Sequence, residues 1–540
     1  MMTTMKKMLL TVPVIGACSV AACGGPVELD VEIVDPCNQA AVASVEFLKF
    51  TPRGDGIDEG FSTTYGINDS GIEPITVPLA SDFSIVATGH NTGADGLPDF
   101  RETRAIGVSA EYDLTSAPGA VSIKVPFALV DSFYRTTSLD GEPTCTELAV
   151  DRFGATATFL PNSGRVLIVG GAQIIPGTPP EVRYPRGVEL YDPATGTFQV
   201  VAELRVGGAR KGHTATLLDG GRVLIAGGDT IINGTTTALR TAFIVDATDP
   251  LSVRIAESGL AMRAARTGHR AVRMKDGRVA LIGGRELVPS AIDPRDHTYL
   301  DSVEIYEPMN QLFTLPNDPA SNALRMSKRR FGHSATLLES GQDILVAGGM
   351  NDQGVVGEVE VITLGETSTV TAQPSAITGV GPIFHSAALA QNGEVLLSGG
   401  YNRIEDAEPS GMAPQNPTGS VEMWAFVNGR VARTCSAALN RPRGHHAVTM
   451  SGKDAVFVGG RDQTGVPLGV GEVATLTTGG SCFARAPTEV EMDSPRFGHA
   501  ITKIETSGEI LVVGGLQQNM GDVFGRSLKS AEVYSPRRSF

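Results

Sequence analysis

Six of the nine histidines stand at one recurring position: His213, His269, His333, His385, His445 and His499. Imidazoles repeated around a ring invite a metal centre, but equivalent positions spread about an axis do not converge within the ~2 Å of a ligand shell. The repeat therefore assigns them a supporting role, for instance bonding a neighbouring backbone carbonyl. A cationic set recurs just before the same strand: Arg152, Arg210, Arg266, Arg330 and Arg496, with Arg441 and Arg443 in the sixth copy and Pro382 in the fifth. Its counter-charge recurs as Glu189, Glu304, Glu360, Glu422, Glu472 and Glu532, so bracing ion pairs are the first reading. The second places Arg210, Arg266, Arg330, Arg443 and Arg496 on a ligand-binding face, where guanidinium groups receive carboxylates bidentately.

Residues that do not recur are better placed to build a pocket, because asymmetry is what a pocket needs. The long loops 172–187, 285–302 and 401–420 carry Arg285, Glu286, Asp293, Arg295, Asp296 and His297, then Tyr401, Arg403, Glu405, Asp406 and Glu408. Arg285, Asp296, Tyr401 and Arg403 complete the expected ligand face. Upstream, Asn91 to Glu102 has calcium-loop spacing: Asn91, Asp95, Asp99 and Glu102 at positions one, five, nine and twelve, with Gly96 at six. Gly93 offers no side-chain oxygen at three, so a solvated hairpin competes with calcium, the one cofactor the sequence suggests. Cys37 and Cys145 bracket this region and are expected to pair, whereas Cys435 and Cys482 are left open.

The elements positioning these residues are repeats. Paired glycines close short apolar strands at Gly170-Gly171, Gly227-Gly228, Gly283-Gly284, Gly348-Gly349, Gly399-Gly400, Gly459-Gly460 and Gly514-Gly515, 51 to 65 residues apart. Such a period, with strands and no helices, signals a radial β array. In the second copy Arg210 to Leu218 alternates, Asp219-Gly220 suits a tight hairpin, and Val223 to Ala226 is apolar on both faces. Val188 to Pro193 and Phe198 supply the third and fourth strands in the first copy. Four strands in each of seven copies predict an all-β chain with a seven-bladed propeller over residues 151–540. The last copy stops at Phe540, so its outer strand is either very short or supplied from before Arg152.

With a glycine pair, then Glu-x-Tyr-Asp-Pro, an aromatic, and Arg-x-Gly-His opening the next copy, the chain resembles a kelch-repeat protein over roughly residues 150–540. Ala155 and Ala474 depart from the pattern where His and Tyr are expected. Some kelch propellers bind acidic peptides near the arginine-bearing mouth, which keeps the ligand-face reading open. Galactose-oxidase-like copper enzymes use a similar propeller and require a Tyr-His pair and a thioether Cys-Tyr. This chain has no Tyr-His; Phe384-His385 and His445-His446 lack the phenol. Sialidase Ser-x-Asp boxes, phosphate loops and His-Glu-x-x-His are also missing from the sequence. Binding without catalysis is therefore expected; the alternative is a carbohydrate-active or copper-radical oxidase-like enzyme.

Lys6 and Lys7 precede an apolar stretch too short and broken for a bilayer span, which reads as a secretory signal over 1–22. Val20-Ala21-Ala22-Cys23 resembles a bacterial lipobox, and Ile15-Gly16-Ala17-Cys18 also fits. Cys23 is favoured because four cysteines then remain, an even number for an oxidising compartment. This implies a bacterial lipoprotein in the cell envelope, expected at the outer membrane, whose only membrane contact is its lipid anchor. Residues 23–140 are expected to form a small β-sandwich, immunoglobulin- or transthyretin-like, with strands at 27–34, 42–50, 75–79, 83–88, 106–112 and 121–130; a linker over 141–150 follows. Of the formal charge of −15, residues 26–150 hold 20 acidic against 6 basic groups. That excludes a basic nucleic-acid footprint. An envelope or extracellular protein, or a polysaccharide, is the expected partner.

Overall fold

The computed structural model describes Val27–Arg537 apart from residues 35–36, 38–40, 59, 68–74, 110, 116–119, 140–143, 178–179, 206, 289–295, 408–415, 478–481 and 519–524. Cys23 and the signal segment lie outside the described residues. The chain divides into two units, Met1–Glu147 with Asp192–Thr197 and Glu532–Phe540, and Leu148–Tyr191 with Phe198–Ala531.

In the first unit, β1 (Val27–Val34) runs parallel to β7 (Ala120–Leu129) from Glu28 opposite Ala120 to Val34 opposite Pro126. Its other edge pairs with β4 (Ile75–Val77). The last residues of β7 pair instead with β6 (Ala105–Val108), which leads through β5 (Ser84–His90) and β2 (Phe47–Arg53) to β3 (Thr63–Gly66). One strand thus serves both halves of a seven-stranded path. Alternation explains the core: Val27, Leu29 and Val31 from β1, Ile123, Val125 and Phe127 from β7, and Leu48, Phe50, Ile85 and Ala87 all bury inward. The stretch expected as a strand from Val42 begins instead as a 3₁₀ turn at Val42–Ser44. The parallel β1–β7 pairing has no signature in local alternation. Cys37 and Cys145 form a disulfide within this unit.

Downstream, seven antiparallel sheets follow one another, each built on a four-stranded inner-to-outer meander, to which the first adds the short strand Glu181–Arg183. The second is typical: Thr214–Leu217, Arg222–Ala226, Thr241–Asp246 and Arg254–Ala261. Each inner strand packs beside those of the preceding and following sheets, and Phe153–Leu160 packs beside Ala500–Lys503. The ring closes at seven, so this is a seven-bladed β-propeller. Its cores lie between blades, as where Val279 and Leu281 of the third blade pack with Leu224 and Ile244 of the second. The seventh sheet takes its fourth strand from upstream: β8 (Ser132–Arg135) pairs with Ala531–Ser535, Arg135 opposite Glu532 and Ser132 opposite Ser535. The last blade therefore closes with a strand that precedes the expected boundary at residue 140.

The first glycine of each pair is demanded by contact with the next blade and the second by contact with its own blade's inner strand. Both members hold positive φ, 61° at Gly227 and 94° at Gly228. A Cβ on Gly227 would lie 2.5 Å from the Arg266 carbonyl oxygen and 2.8 Å from Cε1 of His269; one on Gly228 would lie 2.5 Å from the Lys211 carbonyl oxygen. The recurring histidine therefore seats against the glycine of the blade before it.

Candidate functional site

The recurring arginines are structural. Arg152, Arg266, Arg330, Arg443 and Arg496 are 0% exposed and Arg210 is 1% exposed. Each sends Nη1 to the carbonyl of the first glycine of its pair, as Arg266 does to Gly283 and Arg443 to Gly459, both at 2.9 Å. Nη2 then meets the recurring glutamate: Arg266–Glu304 at 2.6 Å, Arg443–Glu472 at 2.5 Å, and Arg152–Glu189 and Arg330–Glu360 likewise. The second blade has Phe243 in place of the glutamate, and Arg210 lies 4.8 Å over that ring while bonding Thr241 Oγ1 at 3.1 Å. In the seventh, Arg496 bonds Ser530 Oγ at 3.0 Å. In the fifth, where Pro382 replaces arginine, Arg433 of the outer strand reaches Glu422 at 3.0 Å. The ligand-face expectation for Arg210, Arg266, Arg330, Arg443 and Arg496 is thereby corrected. A guanidinium without exposure, committed to carbonyls inside its own blade, has nothing to offer a solute.

The histidines follow the same logic, with one change of register. His213 Nε2 meets Thr156 Oγ1 at 3.0 Å, His269 meets Thr214 at 3.0 Å and His385 meets Ser334 at 2.8 Å, each across a blade boundary. In the sixth blade His446, not the expected His445, takes this place and meets Ser398 Oγ at 2.8 Å. Burial and neighbouring arginines hold these rings neutral: the pKa of His213 falls to about 3, that of His385 to about 4 by burial, and that of His499 to about 3.

His445 is displaced because it occupies the position of a glycine. One residue before the recurring histidine, or before Ala155 in the first blade, the chain takes positive φ in all seven blades: Gly154, Gly212, Gly268, Gly332, Phe384, His445 and Gly498. Their backbones touch around the ring. Gly268 N–H donates to the Gly212 carbonyl at 2.9 Å, Phe384 to Gly332 at 2.9 Å, His445 to Phe384 at 3.3 Å and Gly154 to Gly498 at 2.8 Å. This collar narrows one mouth of the channel. Next to it, the residue after each glycine pair bridges the one before the collar: Lys211 with Asp229, Thr267 with Arg285, Phe331 with Met350, Ile383 with Tyr401, Gly444 with Arg461 and Phe497 with Leu516.

These positions vary where the scaffold does not, and they split the mouth into two sectors. One is aromatic. Phe331 and Phe384 meet edge to face at 5.4 Å, Phe384 lies 4.2 Å from His445, and His445 is 5.4 Å from Tyr401 and 6.3 Å from Phe497. Arg285 lies 3.9 Å over Phe331 and Arg461 4.6 Å over Phe497. Tyr299, Met350, Ile383, Tyr401 and Ile404 form a small core beneath, so Phe384, His445 and Phe497 are half-buried on a rigid base. Arg461 is oriented by Gly465 O at 2.9 Å and Gln518 Oε1 at 3.0 Å, and burial lowers its pKa. The other sector is polar. Asp229 accepts from Lys211 Nζ at 2.9 Å and Tyr184 OH at 2.9 Å through Oδ1, and from Thr267 Oγ1 at 2.7 Å through Oδ2. Burial and that carboxylate push the Tyr184 phenol up. Both carboxylate oxygens of Asp229 are thus engaged by neighbouring side chains.

Of the sequence candidates, Arg285 is half-buried at this mouth, whereas Tyr401 is wholly buried beneath it, which corrects its expected place on the ligand face. Asp296 is exposed on its loop, and Arg403 is exposed 3.8 Å from Glu405. Asp293, Arg295 and Glu408 lie outside the described residues. Phe331, Phe384, His445, Phe497 and Arg461 were not singled out as a site; the signal for two of them was the loss of glycine from Arg-x-Gly-His. The Asn91–Glu102 segment is a hairpin loop in which Asp99 is bound by Arg101 at 2.8 Å and Glu102 by Arg104 at 3.0 Å. The Asp95 carboxylate accepts from Leu97 N–H at 3.2 Å. Among the described residues no group of three metal-ligating side chains converges.

No family model matches the chain, and no curated protein matches it. Among solved structures, that of YjhT is similar at 12% identity and a TM-score of 0.45, covering 64% of this chain and 98% of its own.

Proposed function

We propose that this chain is a lipid-anchored envelope protein of the kelch type that recognises a polysaccharide or a protein at the aromatic mouth of its propeller, without catalysis. The observation that carries the reading is the pair Phe384 and His445. Both hold φ of 52–53°, where five sister blades have glycine. A non-glycine residue there costs on the order of 1–2 kcal/mol, and strain retained by two half-buried side chains at the mouth points to use. Aromatic rings beside the Arg461 guanidinium suit the C–H faces and hydroxyls of a sugar, which makes polysaccharide the first ligand class. Anchoring through Cys23 would hold such a receptor at the envelope, on the outer membrane.

The test immobilises soluble residues 26–540 and exposes them to cell-surface polysaccharide and to solubilised envelope protein, with calcium or with chelator. Saturable polysaccharide binding that Phe384→Gly/His445→Gly abolishes is the expected result. Binding of an envelope protein with the same sensitivity would keep the mouth and change the ligand. Binding untouched by the double variant would remove the mouth from the reading, and loss under chelator would bring in the Asn91–Glu102 loop.

A further inference from the structure

The residue after the recurring histidine, or after Ala155 in the first blade, is small in six blades: Thr156, Thr214, Ser334, Ser386, Ala447 and Ala500. In the third blade it is Arg270. Elsewhere a hydroxyl at this level holds the histidine of the next blade, as Thr214 holds His269. Arg270 instead donates Nε to the backbone carbonyl of His333 at 2.7 Å, and both ring nitrogens of His333 stay buried without a partner. The arginine thus stands where three blades use a hydroxyl to hold the next histidine, and His333, like His499, keeps both ring nitrogens unpartnered.

Arg270 has no counter-charge. Among the described residues no carboxylate pairs with it, whereas Arg152, Arg266, Arg330 and Arg443 each have a buried glutamate. The titratable groups close enough to feel it are His269, His333 and His385, all held neutral, with Arg266 and Arg330 adding further positive charge around them. Its strand is bonded along one edge to Val279–Ile282 and flanked by the inner strands Thr214–Leu217 and Ser334–Leu337. The remaining edge of this innermost strand is unpaired, Arg270 is only partly exposed, and burial lowers its pKa. A guanidinium cannot shed its proton as a buried lysine can, so its desolvation must be offset by an opposite charge.

We propose that Arg270 anchors an anion site inside the propeller channel, independent of the aromatic mouth and of any ligand bound there. Its Nη hydrogens supply charge-assisted donors to a halide or to the carboxylate or phosphate of a small solute.

Chloride-35 line broadening on the purified protein, with acetate and phosphate as competitors, tests this. Wild type should show saturable excess broadening. Arg270→Thr, which installs the residue found at 214, should weaken chloride binding by about tenfold or more, the worth of a lost charge-assisted bond; Arg270→Lys should retain part of it. Displacement by acetate identifies a carboxylate-sized monoanion site, and displacement by phosphate an oxyanion site. Equal broadening in wild type and a folded Arg270→Thr protein overturns the proposal, as does wild-type broadening that neither competitor reverses. If Arg270→Thr does not fold, wild-type melting in chloride against an equal concentration of gluconate decides: a rise with chloride supports the site and identical melting overturns it.

Discussion

The ring of Phe384 lies 4.2 Å from that of His445, with 31° between their planes, and each belongs to a residue with φ near +52°. Two neighbouring blades thus bend the same way as their five sisters while presenting a side chain. Glycine at either position would relieve about 1–2 kcal/mol of backbone strain and lose about 0.5–1.5 kcal/mol of ring contact. Phe384→Gly and His445→Gly are therefore expected to unfold in urea within about 1 kcal/mol of wild type. A loss above about 3 kcal/mol, the cost of emptying a packed core, would show that the rings hold the fold together rather than serve a ligand.

Buried arginines should differ according to what they leave behind. Arg443→Met strands Glu472 without its guanidinium partner inside the blade and should cost about 3–5 kcal/mol. Arg210→Met strands no carboxylate, only the Gly227 and Thr241 carbonyls and the face of Phe243, and should cost less, about 1–3 kcal/mol. Denaturation midpoints of the two variants compare them directly. Equal losses would mean that the ion pair adds nothing beyond the carbonyl bonds.

The interblade histidines set an acid limit. Their folded pKa values, about 3 for His213 and His499 and about 4 for His385, lie below the ~6.5 of an unfolded chain. As pH falls through that window the unfolded state binds protons first, so stability is fully present above about pH 6.5 and is lost progressively below it. Each histidine adds a slope approaching about 1.4 kcal/mol per pH unit. The melting temperature should fall steadily from pH 7 to pH 5, and His385→Gln should flatten the slope. An unchanged melting temperature across that range would refute the account.

Two disulfides join segments far apart in sequence, Cys37 to Cys145 across 108 residues and Cys435 to Cys482 across 47. The second ties the outer strand of the fifth blade to the sixth. In the chain-entropy model they contribute about 4.8 and 4.1 kcal/mol. Cys435→Ser/Cys482→Ser should therefore lower the denaturation midpoint measurably without altering the β-sheet circular dichroism. No shift in the midpoint would mean that blade packing alone holds this joint.

The sequence by itself determined the seven blades, because glycine pairs, hairpin turns and alternation are local signals that repeat. It also paired the recurring arginine with the recurring glutamate, as Arg266 and Glu304 illustrate. Only the tertiary structure decided that those arginines are wholly internal, since burial depends on the neighbouring blade. The exchange of His445 for His446 was hidden for a similar reason: adjacent histidines are told apart by the φ of the backbone, not by their type. The mouth assembles Phe331, Phe384, Tyr401, His445, Arg461 and Phe497 from four blades, and no window of sequence contains them together. The seventh blade borrowed Ser132–Arg135 because an open ring leaves a strand edge unpaired, and any suitable strand within reach can fill it.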